Sequence, residues 1–240
     1  MREVFQRVQD GESVNIEVDL DAMEYKSEHP WLFSAFIKFD ASDEGSQKYE
    51  EFLETKESLI IALAYEDMAI YVGSRVVDGW SELYFYAPSS KELNSMVSAV
   101  LGSTEYIYES NVVRDTKWEF YLSQLSPSEL EYHHIVSAKI IDQLKDEGDD
   151  LEMSREVEHY ISFETPTQKD RFLDNFNLDG FAYKDDIASD DFEHGVAFVK
   201  KHPITNDEMK KVVEELYVEV KKERGFYEGW STILVGEKTT

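Results

Sequence analysis

The order of the secondary-structure patterns constrains the fold of this chain more than any single motif does. Alternating or continuous apolar runs predict strands, and apolar residues at helical spacing predict helices. From residue 32 to residue 113 these patterns follow the order β-α-β-β-α-β, and the same order returns in residues 156–232. Such a series closes into a four-stranded antiparallel sheet with both helices on one face. The sequence therefore predicts an α+β fold with two ferredoxin-like domains.

Each series has one addition in front of it. Apolar residues alternate with polar ones at residues 14–20, which predicts an extra N-terminal strand in the first domain. Pro127, at a first helical position, opens an apolar stripe that predicts a leading helix in the second domain. Between the two series, Trp118, Phe120 and Tyr121 are expected to pack against one of the domains. We place the domains at residues 1–125 and 126–240.

The closing helix and strand form the most distinctive stretch of the sequence. Thr205 and Glu208 have the spacing of a capping box at the helix start, and Gly225 stands where the helix is expected to end. Residues 226–232, with the sequence FYEGWST, then predict a strand. The glycine within this run, Gly229, predicts a β-bulge or a close backbone approach beside Trp230.

The charge balance is strongly acidic. The 51 Asp and Glu residues outnumber the 24 Lys and Arg residues, which gives a net charge of −27. Because the excess is spread over both halves of the chain, phosphate backbones are repelled and basic protein surfaces are attracted. We therefore expect a protein partner with a basic surface and no direct contact with nucleic acid. Solubility alone is the competing explanation of this charge.

Several classes of chemistry lack the residues that they need. The chain has no cysteine, which excludes disulfides, thiolate metal sites and cysteine nucleophiles. It has no glycine-rich nucleotide loop and no Gly-x-Ser-x-Gly motif. No apolar run is long enough to span a membrane, and no signal-peptide core follows Met1. We expect a cytoplasmic protein that is not an enzyme, binds no cofactor and contacts no membrane.

Residues 127–235 carry three motifs of a known family. They are the acidic turn Gly148-Asp149-Asp150, the strand Glu158-His159-Tyr160-Ile161-Ser162-Phe163, and the closing run Tyr227-Glu228-Gly229-Trp230-Ser231-Thr232. On these motifs this part of the chain resembles the regulator of ribonuclease E activity B, the RraB family. It departs from the family pattern in having Ser231 where glycine is expected and in lacking an acidic C-terminal tail.

The first half carries a second resemblance. The hairpin around Gly73 and Asp78-Gly79, followed by Leu83-Tyr84-Phe85-Tyr86, resembles an uncharacterised bacterial domain family that occurs fused to RraB-like domains. No activity comes with this resemblance. The RraB resemblance implies a ferredoxin-like domain in a bacterial cytoplasmic protein. Such a protein binds and inhibits a ribonuclease or another RNA-processing protein.

The RraB resemblance also implies where a partner would bind. An acidic surface with an aromatic anchor would meet a basic patch of the partner. The residues implicated are Asp149, Asp150, Tyr160, Tyr227, Glu228 and Trp230. For Trp230, a place in the core is the alternative. The sequence leaves the oligomeric state open.

Two other function classes stay open on the residues alone. His159, His194 and His202 fall on predicted neighbouring strands, where they could form a three-histidine metal site of an enzyme or metal-binding protein. An RNA-binding domain is the third class, because RNA-recognition motifs share the β-α-β-β-α-β order. Residues 194–199, with the sequence HGVAFV, have the frame of their third-strand motif, and Tyr160 would stand on the first strand.

Overall fold

The structure, a computed structural model, describes residues 2–9, 11–39, 45–190 and 192–236. The chain falls into two compact units, Met1–Ser126 and Pro127–Thr240. Each unit has its own antiparallel sheet and its own helices, so the fold class is α+β as predicted. Within the described residues, no helix is long and apolar enough to cross a membrane.

The first unit combines one sheet with two α-helices in its described residues. The elements are β1 (Arg2–Gln9), β2 (Glu12–Asp19), β3 (Trp31–Lys38), α1 (Gln47–Ala64), β4 (Ile70–Val77), β5 (Trp80–Ala87), α2 (Leu93–Leu101) and β6 (Tyr108–Arg114). The strand order in the sheet is β1-β2-β4-β5-β3-β6. From β3 to β6 the elements follow the predicted order β-α-β-β-α-β.

The two helices cover one face of this sheet. Phe33 of β3 and Phe85 of β5 belong to one buried cluster with Leu59 and Leu63 of α1 and Val97 of α2. Successive side chains of a strand point to opposite faces. The residues between these apolar positions therefore face the other side of the sheet.

The segment after β6 covers that opposite face. Trp118 is buried, with its ring stacked on Tyr86 at 3.8 Å between centroids and its Nε1 donating to the His29 carbonyl oxygen at 2.8 Å. Phe120 lies against Tyr84, with ring centroids 4.4 Å apart. The aromatic residues expected to pack against one of the domains thus belong to the first unit.

The structure has a two-stranded hairpin where the sequence predicted one extra strand. β2 covers most of residues 14–20, and β1 pairs with it antiparallel from Arg2 to Gln9. β1 is an edge strand, and its Val4 and Val8 are 69% and 74% exposed. Only Phe5 among its apolar residues is buried. The prediction missed β1 because so little of its surface is buried that its hydrophobic pattern is weak.

The second unit has the predicted leading helix and series. Its elements are α3 (Glu129–Asp146), β7 (Arg155–Phe163), α4 (Pro166–Asn175), β8 (Phe181–Ile187), β9 (His194–His202), α5 (Asn206–Lys222) and β10 (Phe226–Thr232). The strand order is β10-β7-β9-β8. Ile161 and Phe163 of β7 share one buried cluster with Phe172 of α4, Val213 of α5 and Ile141 of α3.

The predicted bulge in β10 is confirmed. The register shifts between Tyr227, which faces Ile161, and Gly229, which faces Tyr160. Gly229 has a φ of +122°, a conformation that favours glycine. Residues three apart on a regular strand face opposite sides of a sheet. Because the bulge adds one residue, Tyr227 and Trp230 are instead buried on the same side.

Gly73 allows the β1–β2 hairpin to join the first sheet. It lies at a register shift in β4 and pairs with Val18 of β2. Its φ is +154°, and a Cβ atom at this position would overlap the carbonyl oxygen of Glu17. A side chain there would push β2, and β1 with it, away from β4.

We expect Gly73→Ala to destabilise the first unit by about 3 kcal/mol, since it adds backbone strain and a clash with β2. Gly79→Ala is the matched control, because Gly79 also has a positive φ of +72° but no atom lies within 4 Å of the added Cβ. The control should cost about 1 kcal/mol. Hydrogen exchange of the β2 and β4 amides measures both losses. Equal protection in the two variants would contradict the role assigned to Gly73.

Candidate functional site

A groove of about 380 Å³ runs between α3 and β10 in the second unit. Four of the residues implicated by the sequence line it: Tyr160, Tyr227, Glu228 and Trp230. On the other side, the groove is lined by five residues of α3: Tyr132, His133, Val136, Ser137 and Ile140. These residues define the α3–β10 groove, which we take as the candidate site because it collects most of the implicated residues.

The aromatic residues of β10 form the buried wall of this groove. Trp230 donates through Nε1 to Ser137 Oγ of α3 at 2.9 Å. Tyr227 meets the ring of His133 edge-on, with centroids 5.0 Å apart. Both β10 side chains are buried. Trp230 is thus a core residue, and the two rings hold α3 against the sheet.

The rim of the groove is formed by residues that reach solvent. Tyr132 of α3 is 47% exposed, and Glu228 at the bulge is exposed as well. The Glu228 carboxylate accepts a hydrogen bond from the Ser162 hydroxyl. Tyr160 is half-buried, and its hydroxyl lies 2.7 Å from Ser231 Oγ. The rim therefore offers aromatic rings and a carboxylate, each held in place by hydrogen bonds or packing.

Asp149 and Asp150 lie in the turn after α3 and do not line the groove. Asp149 Oδ2 accepts from Arg155 Nη1 at 2.6 Å and from the Val235 N–H at 2.8 Å. Burial works against ionisation of this carboxyl, but the two hydrogen bonds hold the pKa of Asp149 below its ordinary value. The Asp150 N–H donates to the Val235 carbonyl oxygen at 2.7 Å. The acidic turn thus holds the segment around Val235, which follows β10, by hydrogen bonds.

Arg155 is the residue of this network that the sequence reasoning missed. Its guanidinium is buried and also donates to the Met153 carbonyl oxygen at 3.1 Å and to the Ile233 carbonyl oxygen at 3.2 Å. An arginine that opens a strand directly after an acidic turn is the signal that could have found it. A buried guanidinium requires an anionic partner close by.

The structure brings together two of the three sheet histidines. The Nε2 atoms of His159 and His202 are 3.4 Å apart, and both side chains are buried. His194 lies at the other end of β9, opposite Phe163. At about 3.3 Å per residue, the extended strand puts roughly 26 Å between His194 and His202. The predicted three-histidine site is therefore wrong. Across the described ranges, no three metal-ligating side chains lie close enough to hold an ion.

A directional chain of hydrogen bonds joins the two histidines to Tyr227. His202 Nδ1 lies 2.6 Å from the Pro203 carbonyl oxygen, which only accepts, so this nitrogen carries the hydrogen. In neutral His202, Nε2 is then the acceptor, and His159 donates to it through Nε2. His159 Nδ1 in turn accepts from the Tyr227 hydroxyl at 2.9 Å. The chain is satisfied when both histidines are neutral.

The key positions of the RNA-recognition-like motif on β9, Val196 and Phe198, point towards the helices. Val196 and Phe198 are buried, and Phe198 lies against Phe176 with ring centroids 4.4 Å apart. Base stacking requires aromatic rings on the open face of the sheet. By alternation, β9 directs Ala197 and Val199 to that face. Among the residues expected to form the aromatic platform of an RNA-binding domain, only Tyr160 lies on this open face of the sheet.

Two family models match this chain, one in each of its two units. Residues 3–126 match the model described as Family of unknown function (DUF695). The chain belongs to the DUF695 family. Residues 134–232 match the model described as Regulator of ribonuclease activity B, RraB. Both resemblances predicted from the sequence are thereby confirmed. Neither the curated proteins nor the solved structures give a match.

The RraB match spans most of the candidate site of this DUF695 protein. It includes Ser137, Tyr160 and the whole of β10, together with the acidic turn and Arg155. Tyr132 lies just before its first matched residue. The RraB description names a regulator rather than an enzyme, which agrees with the expectation from the sequence.

The neutral histidine pair makes the second unit sensitive to acid. Burial, with His202 and Lys200 nearby, lowers the pKa of His159 to about 3. Burial also lowers the pKa of His202, against the hydrogen bond to Pro203. An unfolded histidine has a pKa of about 6.5, so below that pH the unfolded chain binds more protons than the folded one. The stabilisation from neutral histidines is complete above about pH 6.5 and decreases as the pH falls towards 3.

We expect the unfolding free energy of the second unit to fall by about 1.4 kcal/mol per pH unit on account of His159 within this window, and His202 adds to the fall in the same direction. The His159→Gln variant should lose part of this slope, because glutamine does not titrate. His194→Gln, at the other end of β9, is the control and should keep it. Hydrogen exchange of the β7 and β10 amides between pH 7 and pH 5 reports the slope. An unchanged slope in His159→Gln would contradict the neutral pair.

Proposed function

We propose that the second unit is a ferredoxin-like, non-catalytic domain that binds a basic surface of a ribonuclease or another RNA-processing protein and regulates it. The observation that carries this proposal is the RraB match of residues 134–232, which spans most of the α3–β10 groove. The strand order β10-β7-β9-β8, with α4 and α5 on one face, supports the ferredoxin-like topology.

The groove has the chemistry expected for a basic side chain of the partner. Glu228 supplies a fixed carboxylate at the rim, and Tyr132 and Tyr160 supply ring surface beside it. Arginine combines a charged fork for carboxylates with a planar surface that stacks on aromatic rings. An arginine from the partner would therefore satisfy both features of the rim, while buried Tyr227 and Trp230 keep the wall rigid.

The net charge of −27 supports the approach of such a partner. Complementary charge raises the association rate and disfavours partners of the wrong sign. It also opposes direct binding of RNA, whose phosphates would be repelled. RNA binding is further disfavoured by the burial of Val196 and Phe198.

The same proposal extends to the organisation of the protein and its place in the cell. We propose two domains that divide near residue 126, supported by the two compact units and by the two family matches. We also propose a bacterial cytoplasmic protein, because a regulator of RNA decay acts where the RNA is. The absence of cysteine suits a reducing compartment.

The test is capture of partners by the tagged full-length protein from its host's lysate after nuclease treatment. We expect a ribonuclease to be retained and, once purified, to cleave a fluorogenic RNA more slowly when the protein is added. Tyr132→Ala should weaken its binding about thirtyfold and Glu228→Lys at least as much, as for residues at the centre of an interface.

Tyr183→Ala is the matched control, because Tyr183 is a 50% exposed tyrosine on β8 in the same unit. It should bind as the unchanged protein does. Retention that requires intact RNA, or the absence of any ribonuclease, would contradict the regulator proposal. If Tyr132→Ala and Tyr183→Ala weaken binding of the ribonuclease equally, the contact lies outside the groove.

A further inference from the structure

The first unit has a cleft of about 460 Å³ between α1 and the β1–β2 hairpin. Pockets for small ligands measure about 300–1,000 Å³, so this one has room for a small molecule. The cleft exists because the hairpin widens the sheet beyond the region that the two helices cover. The helix-side face of the added strands is therefore open next to α1.

An ion pair lies at the polar end of the cleft. Lys56 Nζ of α1 donates to Glu17 Oε2 of β2 at 2.7 Å and to Ser74 Oγ of β4 at 3.2 Å. The two charged side chains are only 15% and 23% exposed. An ammonium group has three donors, and these two bonds use two of them. Among the described residues the third N–H of Lys56 has no hydrogen-bond acceptor, so it is available to a ligand.

A buried hydroxyl lies close to this ion pair. The Lys56 ammonium is 5.6 Å from the centre of the Tyr71 ring. The Tyr71 hydroxyl is buried beside the Glu17 and Ser74 side chains. Tyr71 itself does not line the cleft, so the polar groups that a ligand meets at this end are Lys56, Glu17 and Ser74.

The walls of the cleft away from the ion pair carry apolar side chains beside Gln6 and Asn15, which hydrogen-bond to each other. Val4 of β1 is 69% exposed and Leu53 of α1 is 37% exposed, and both line the cleft with Val76 of β4. Removal of apolar surface from water is favourable. These walls thus favour the apolar part of a ligand, while the ion pair favours a charged part.

We propose that this cleft binds an apolar α-amino acid as its zwitterion. The carboxylate would accept from the remaining N–H of Lys56, and the ammonium would donate to Glu17. One carbon atom separates these groups in an α-amino acid, so they lie about as close together as the two charges of the ion pair. The four charges would alternate in sign, and charge-assisted hydrogen bonds of this kind are among the strongest.

The charge of the whole chain also selects a zwitterion. A ligand that is purely anionic would be repelled by the net charge of −27. A purely cationic ligand would leave the free N–H of Lys56 without an acceptor. A zwitterion carries no net charge and complements both members of the ion pair. Its apolar side chain would cover Val4 and Leu53.

The experiment is a calorimetric titration of the full-length protein with L-leucine. Two analogues separate the contributions: 4-methylpentanoate lacks the ammonium, and 3-methylbutylamine lacks the carboxylate. We expect L-leucine to bind and each analogue to bind at least about tenfold more weakly, because each loses one charge-assisted contact. Absence of heat with L-leucine, or equal affinity for either analogue, would overturn the proposal.

Two substitutions place the ligand in the cleft. Leu53→Trp should abolish binding, because the larger ring fills the apolar part of the cleft while both charged side chains of the ion pair are kept. Leu122→Trp is the matched control, since Leu122 is a 48% exposed leucine on the segment that covers the opposite face of the sheet. Lys56→Met should weaken binding at least about tenfold. Binding that survives Leu53→Trp would overturn the assignment of the cleft.

Discussion

The width that a pair of helices can cover determines the shape of both units. Helices pack about 10 Å apart and strands about 4.8 Å apart, so two helices cover about four strands. The four-stranded second sheet matches this width, and α3 is placed at its edge beside β10, where the groove forms. The first sheet exceeds it by the β1–β2 hairpin, and the cleft forms beside α1. Both candidate sites thus lie where the helix layer ends.

Several residues of the RraB-like motifs are buried polar groups whose role is structural. His159 is buried between Tyr227 and His202, and Asp149 is held by Arg155. Trp230 joins β10 to α3 through Ser137. Each of these groups would be costly to bury without its partner. At the rim of the groove, Tyr132, Tyr160 and Glu228 reach solvent, and Tyr160 and Glu228 come from two different motifs of the RraB-like sequence.

The limits of prediction appear clearly in individual residues. Gly225 was expected to end α5, and the helix does end just before it, at Lys222. The positive φ of +57°, however, belongs to Arg224. Gly225 is needed because a Cβ there would approach the Phe163 ring to 2.6 Å. The site residues show the same limit, since Asp149 was predicted at a surface and its carboxylate is buried. A local pattern reports where a chain turns, and only the packed neighbours show what the residue touches.

The amino-acid sequence is enough to predict the α+β class, the order of elements from β2 onward, the bulge at Gly229 and the acidic charge. These features follow from periodicity, glycine and composition, which act within a few residues or over the whole chain. The packed structure was needed to show that His194 lies far from His202, that Tyr227 and Trp230 share one face, and that an edge strand precedes β2. Strand direction, register and sheet edges depend on contacts between residues far apart in the chain, and no local pattern records them.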